Sequence, residues 1–157
     1  MKKGGGDMTR QFENIFSTKE LGTRIRAIMG VPEEILDNSV ISSPTFTIKA
    51  GKYINKKISD YTEEQLSTSL ELLDIAYLYY IGYLLCTGMY ARLPKQMENV
   101  STKTILQTID WDSKALELLG KCDEIIDDII SELDDDFQYG NTFAVLTDAS
   151  DYPNTNI

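Results

Sequence analysis

The chain has 157 residues, enough for one domain with a real core, and its apolar fraction of 42% and charged fraction of 25% are ordinary for a globular protein. Its net charge of −10 argues against a dedicated nucleic-acid binder, which needs a face that neutralises phosphate. Histidine is absent, which removes the commonest general base, triad partner and metal ligand together. The two cysteines, Cys86 and Cys122, lie on apolar helical faces and lack the C-x-x-C spacing of a zinc or redox site. They read as reduced, buried thiols, and neither a cofactor nor a metal is expected. The opening MKKGGGD has basic residues but no apolar stretch of the kind a signal peptide carries.

Residues 1–16 are expected to form a flexible N-terminal segment, with Gly4-Gly5-Gly6 as a joint. Ser17-Thr18-Lys19-Glu20 is a capping box. It starts a short helix with Leu21, Ile25, Ile28 and Met29 on one face. Gly30 suits the residue just past a helix end, and Pro32 bars continuation. Lys19, Arg24 and Arg26 make this helix basic in an acidic chain, either as a solvated face or as a contact for an acidic partner. Residues 32–43 read as a connector with one short turn at 33–36. Ser43-Pro44 then pairs an N-cap with a first-turn proline and opens a helix to about Ile58. Ala50, Ile54 and Ile58 form its i, i+4 row. Gly51 costs about 1 kcal/mol against alanine inside a helix, which a close helix crossing would explain. Lys49, Lys52, Lys56 and Lys57 make a second basic patch.

Residues 62–94 are the stretch around which the rest is organised. Thr62 and Gln65 form a capping box, Glu63 and Glu64 put acid in the first turn, and Pro94 marks the stop. The pattern predicts one helix of about eight turns. Residues 75–91 carry no charge, so the helix is apolar nearly all round and is either buried on every side or set in a membrane. Tyr77, Tyr79, Tyr80, Tyr83 and Tyr90 are spread along it, and Asp74 adjoins it. Tyrosines of a spanning helix gather at its ends, so the buried reading is favoured. Gly82 and Gly88 read as sites of close helix packing, since a membrane dimerisation motif wants four-residue spacing.

Residues 95–109 are rich in β-branched side chains and poor in helix formers. One strand is not stable alone. The stretch is a long ordered loop, a strand added to another chain's sheet, or a small hairpin within this chain. Asp110 caps a last helix, from Trp111 to about Leu133, with Ala115, Leu118, Leu119, Cys122, Ile125, Ile126, Ile129 and Leu133 on one stripe. Glu117, Asp123, Glu124, Asp127, Asp128 and Glu132 lie off that stripe and read as a solvated face rather than a di-metal site. Asp134-Asp135-Asp136 is expected to end the helix against its own dipole. Residues 137–157 are expected as an extended C-terminal tail with an apolar patch at 143–146. The fold class is therefore mainly α: a small four-helix bundle around a central buried helix, spanning residues 17–136, with a long β-prone loop between the last two helices and extended termini. No phosphate loop, dinucleotide fingerprint or nucleophile elbow occurs, and no enzymatic activity is expected.

Several segments then fall into a known order. The first helix ends Met29-Gly30-Val31-Pro32, and Glu34-Ile35-Leu36-Asp37-Asn38-Ser39-Val40-Ile41-Ser42-Ser43-Pro44 leads into the second. The aromatic-rich stretch from Ala76 to Leu85 is closed by Leu93-Pro94, and Asp110-Trp111 opens the last helix after the β-rich linker. Over about residues 19–133 this resembles the small head–tail connector (adaptor, or head-completion) proteins of tailed bacteriophages. The resemblance implies a non-enzymatic structural virion protein, forming a ring, usually twelvefold, below the portal. Such a ring extends the DNA channel and receives the next neck or tail protein.

The implied partners are the portal protein, neighbouring copies of the chain and the next neck protein, with DNA only passing through and no membrane. The implied place is the virion neck, after synthesis in the host cytoplasm. Contacts between subunits and with the portal are implied for the linker at Val100, Thr102, Thr104 and Leu106, and for the tail at Phe143, Val145, Leu146 and Tyr152. An acidic wall suits a channel through which DNA must slide, because anionic surfaces do not grip phosphate. The long lead and tail depart from the family pattern, so which terminus docks stays open. The residues alone also fit a small acidic cytosolic helical regulator or inhibitor acting by protein–protein binding, which would be a stable monomer or dimer without affinity for a portal.

Overall fold

The computed structural model describes residues 18–91, 106 and 108–149, with side chains within 20–91, 106 and 108–135. It is mainly α. In chain order it has α1 (Thr18–Met29), α2 (Asn38–Ile41), α3 (Pro44–Lys57), α4 (Glu63–Leu66), a 3-10 turn (Ser67–Ser69), α5 (Leu70–Cys86) and α6 (Trp111–Ala149). Residues 89–91 are also helical, and no strand occurs among the described residues. The chain divides after Ile126, within α6, into two compact units. The expected flexible lead at 1–16 and nearly all of the β-prone linker lie outside the described residues.

In the first unit α5 packs against both α1 and α3. Leu73, Ala76, Leu78, Ile81, Leu85 and Cys86 of α5 are buried. α1 presents buried Leu21, Ile25 and Met29, with Ile28 half-buried. It ends at Gly30, whose φ of 75° is the left-handed conformation that glycine enters without steric cost. The N–H groups of Gly30 and Val31 both donate to the Arg26 carbonyl, at 2.8 and 3.2 Å. Ser43 caps α3 by accepting from the Thr45 N–H at 3.3 Å, and Ala50, Ile54 and Ile58 are buried as the i, i+4 row predicts.

The connector is more ordered than its sequence suggests. Ile35, Leu36 and Ile41 are buried, and Asp37 caps the short α2 by accepting from the Val40 N–H at 3.0 Å and the Ser39 hydroxyl at 2.6 Å. These bonds hold the Asp37 carboxyl below the ordinary carboxylate value, the Ser39 hydroxyl first and the Val40 N–H next.

The single eight-turn helix expected from residue 62 onward is interrupted. The Thr62–Gln65 capping box forms in both directions, at 3.1 and 2.8 Å. The α-helical run then tightens to 3-10 at Ser67–Ser69. The Ser67 hydroxyl donates to the Glu64 carbonyl at 2.8 Å, one of the local side-chain bonds with which serine competes against regular helix. A second break follows Cys86, where the Thr87 hydroxyl donates to the Leu84 carbonyl at 2.7 Å. Gly88 therefore sits in a turn rather than inside a helix.

Gly82 does lie at a close crossing: a Cβ there would stand 3.0 Å from Leu118 Cδ1 and 3.2 Å from Ile28 Cδ1. The stretch Glu63–Cys86 is long and apolar enough to cross a bilayer, yet half of its most apolar window is buried inside the chain, as in a core helix.

α6 opens on Asp110, which accepts from the Ser113 N–H at 3.1 Å and its hydroxyl at 2.9 Å. Trp111, Ala115, Leu118, Cys122 and Ile126 form its buried stripe in the first unit. In the second unit the helix does not stop at Asp134–Asp136, and the expected extended tail is instead helical to Ala149. The dipole penalty on acid acts only in the last turn, and no proline intervenes before Pro153. The three aspartates therefore end up in mid-helix, where that penalty is not felt.

Candidate functional site

The linker's C-terminal end is built into the fold. Leu106 is 3% exposed, and its carbonyl accepts the Trp111 indole N–H at 3.1 Å. The Trp111 backbone N–H, one of the donors a helix start leaves without an intrahelical acceptor, donates to the Tyr90 hydroxyl at 3.0 Å. Trp111 thus ties together the residues just after α5, the end of the linker and the first turn of α6. The Leu106 side chain lies within the chain's own core rather than on its surface.

A second constellation joins α3, α5 and α6. The Tyr53 and Tyr80 rings stack at 4.2 Å with 19° between their planes, and Tyr83 lies 5.2 Å from Tyr80 at 57°. The Tyr53 hydroxyl donates to Asp123 Oδ1 at 2.5 Å. Lys57 Nζ stands 3.9 Å from the same oxygen and 5.2 Å from the Tyr53 ring centre. Burial first, and then the Asp123 carboxylate, push the Tyr53 phenol well above its ordinary value, so it stays neutral and acts as a donor. Burial also raises the Tyr80 phenol. The three tyrosines are half-buried, as is Asp123, so the group presents aromatic edges and a charge pair at the surface. On α6, Lys121 Nζ lies 5.8 Å from the Tyr79 ring centre.

Deeper in, Asp74 is buried at 4% exposure on α5. Its neighbour Tyr77 has a phenol raised by burial first, pulled back by a hydrogen bond with Thr47, and raised further by the Asp74 charge. Both thiols are buried and free, and burial is the main cause that pushes each up to about 12. Thiols held protonated in this way are poor nucleophiles near neutral pH.

A third group fastens α1 to the connector. Arg26 donates to the Leu36 carbonyl at 3.0 Å and to Asn38 Oδ1 at 2.9 Å, and its other terminal nitrogen stands 3.6 Å from Glu33. Asn38 fits only because position 22 is glycine: a Cβ there would collide with the Asn38 side-chain oxygen. Arg26, read from sequence as part of a basic surface, is thus engaged inside the chain.

Of the contact residues implied for the linker and tail, Val100, Thr102, Thr104 and Tyr152 lie outside the described residues. Phe143, Val145 and Leu146 fall on the backbone of α6, their side chains likewise undescribed. The Gly22 contact, the Tyr90 hydroxyl as acceptor and the Asp37 cap were not foreseen from sequence. Asp37 had a readable signal, an Asp directly before Asn38-Ser39-Val40; Gly22 and Tyr90 act on residues far along the chain and had none. Among the described residues no three metal-ligating side chains come together. No protein-family model matches the chain, and no curated protein and no solved structure shows significant similarity to it.

Proposed function

We propose that the chain is a head–tail connector of a tailed bacteriophage, a structural virion protein that forms a ring below the portal, extends the DNA channel and joins head to neck or tail. In this reading α1, α3, α5 and α6 make a small four-helix bundle around α5, and the linker and the C-terminal segment reach neighbouring copies and the portal. The observation that carries the reading is the helix order. A short helix closed by Gly30, a connector ending in Ser43-Pro44, an apolar central helix and a last helix opening at Asp110-Trp111 follow one another as in the resemblance. The Trp111–Leu106 bond supports it further, because it gives the linker a fixed C-terminal anchor on α6. The chain performs no reaction in this role and works by contact alone.

The test is co-sedimentation of the purified protein with DNA-filled, tail-less capsids that carry their portal, followed by imaging of the portal vertex. The expected result is a symmetric ring beneath the portal. Absence of binding, with a discrete monomer or dimer by light scattering, would favour a cytosolic helical regulator instead.

A further inference from the structure

Two exposed helix faces in the first unit carry opposite charge around an exposed aliphatic side chain. α3 contains Lys49, Lys52, Lys56 and Lys57 and no acid, within a chain of net charge −10. Its buried row is Ala50 and Ile54. At helical spacing the opposite face holds Ile48, Lys49, Lys52 and Lys56, all exposed, with Ile48 56% exposed. In α6 the face opposite Trp111, Ala115, Leu118 and Cys122 holds Asp112, Leu116, Gly120 and Glu124 in one i, i+4 row, beside Glu117, which already pairs with Lys114 and with exposed Lys121 at 3.8 and 3.7 Å. Leu116 is 67% exposed, and a Cβ at Gly120 would meet nothing within 4 Å, so the surface beside Leu116 is bare.

A single exposed aliphatic residue needs no explanation. Here two occur, Ile48 among lysines and Leu116 in a row with Asp112 and Glu124, so the charges around them are opposite. The chain already uses this pairing once internally, where Lys57 of α3 meets Asp123 of α6 at 3.9 Å.

We propose that a second copy of this chain is the occupant of both faces. The α3 face of one copy docks on the α6 face of the next, with Ile48 against Leu116 and Lys49, Lys52 and Lys56 opposite Asp112 and Glu124. The two faces are different surfaces of one chain: paired reciprocally about a two-fold axis they close a dimer, and paired in series they propagate head to tail. Such a series either closes into a ring or runs on as a filament, and this deepens the connector reading, on which it rests for the closure. A duplex nucleic acid is the other conceivable occupant of the α3 face, but Ile48 in the lysine row gains nothing from phosphate and gains burial from a protein partner.

The full chain is tested by light scattering over a concentration series at low and high salt, with circular dichroism to verify each fold. The wild type is expected to self-associate at low salt and to shift toward monomer as salt screens the charges. The α3 variant K49E/K52E/K56E and the α6 variant D112K/E124K are each expected to remain monomeric. Mixed together they are expected to associate again, because each supplies the sign the other lacks. A chain carrying both sets of changes should also associate by itself.

Reversed variants that associate as the wild type does would overturn the pairing. So would a wild type that stays monomeric at every concentration, including one that binds duplex DNA through α3 instead. Capsid co-sedimentation separates this failure from failure of the connector reading. A monomeric chain that still decorates the portal vertex sinks the pairing alone, whereas a chain that assembles through these faces and ignores capsids sinks the connector reading alone.

Discussion

Gly22 shows how one absent side chain sets a contact between segments distant in sequence. The space its Cβ would fill is taken by Asn38, which accepts from Arg26 and thereby fixes the connector on α1. Gly22→Ala should therefore destabilise the fold by about 1–3 kcal/mol, the usual range for overpacking, measured as a lower midpoint in urea. Alanine's better helix propensity works in the opposite direction, and a variant of unchanged or raised stability would show that Asn38 simply moves aside. The buried thiols and phenols make a second prediction. In the unfolded chain Cys86 and Cys122 lose their protons near 9.0, whereas in the folded chain they hold them to about 12. Between those values the folded state binds more protons, so stability is full below pH 9 and falls as pH rises toward 12. Burial of Tyr53, Tyr77 and Tyr80 acts in the same direction. Thermal melts from pH 7 to 11 should show midpoints falling from about pH 9, and in the variant C86A/C122A the fall should be shallower.

At the scale of elements, the hydrogen bonds at Trp111 decide how the linker meets α6. Trp111→Phe keeps an aromatic ring in the core but removes the donor to the Leu106 carbonyl. It should cost about 0.5–1.5 kcal/mol, the net worth of one hydrogen bond, since the Leu106 carbonyl keeps the Ile109 N–H at 3.3 Å. Amide hydrogen exchange around residues 106–113 should rise with it; exchange at the wild-type rate would mean that the Ile109 N–H alone holds the Leu106 carbonyl in place. The helix ends that depend on adjacent residues were legible in the sequence: the Thr62–Gln65 box, Ser43-Pro44, Gly30 and the Asp110 cap all form as their local chemistry dictates. So was α5 as an element against which both α1 and α3 pack, although Leu72 is exposed and Tyr79, Tyr80 and Tyr83 are only half-buried. Features resting on contacts between distant residues were not legible. Ile35, Leu36 and Ile41 look like a polar connector's occasional aliphatics, yet all three are buried, and Tyr53 and Asp123 are 70 positions apart. The 3-10 interruption at Ser67–Ser69 has another cause: three short polar residues that bond locally lie between a capping box and an apolar run, and neither neighbour signals a break.

At the scale of the molecule, the linker is the segment on which the connector reading can be separated from mere stability. Deleting residues 95–105 with a short bridge should leave the melting temperature nearly unchanged and abolish ring formation beneath the portal. Extending the deletion to Leu106 is a different experiment, because it removes a buried side chain and the acceptor of the Trp111 indole. An unfolded 95–105 deletant would make the linker part of the core, and an intact ring would move the intersubunit contacts elsewhere, to the α3 and α6 faces or the C-terminal segment.

Trp111 is also the chain's one tryptophan. Light absorbed at the red edge of the protein's near-ultraviolet band is therefore emitted from a single address, an indole shut away from water and fastened to the last described part of the linker. A partner that draws on the linker should change the colour of that emission, whereas one that settles on a remote helix face should leave it alone. The chain carries an unlabelled optical gauge at the joint between linker and α6, and a titration followed by fluorescence tells the two modes of engagement apart.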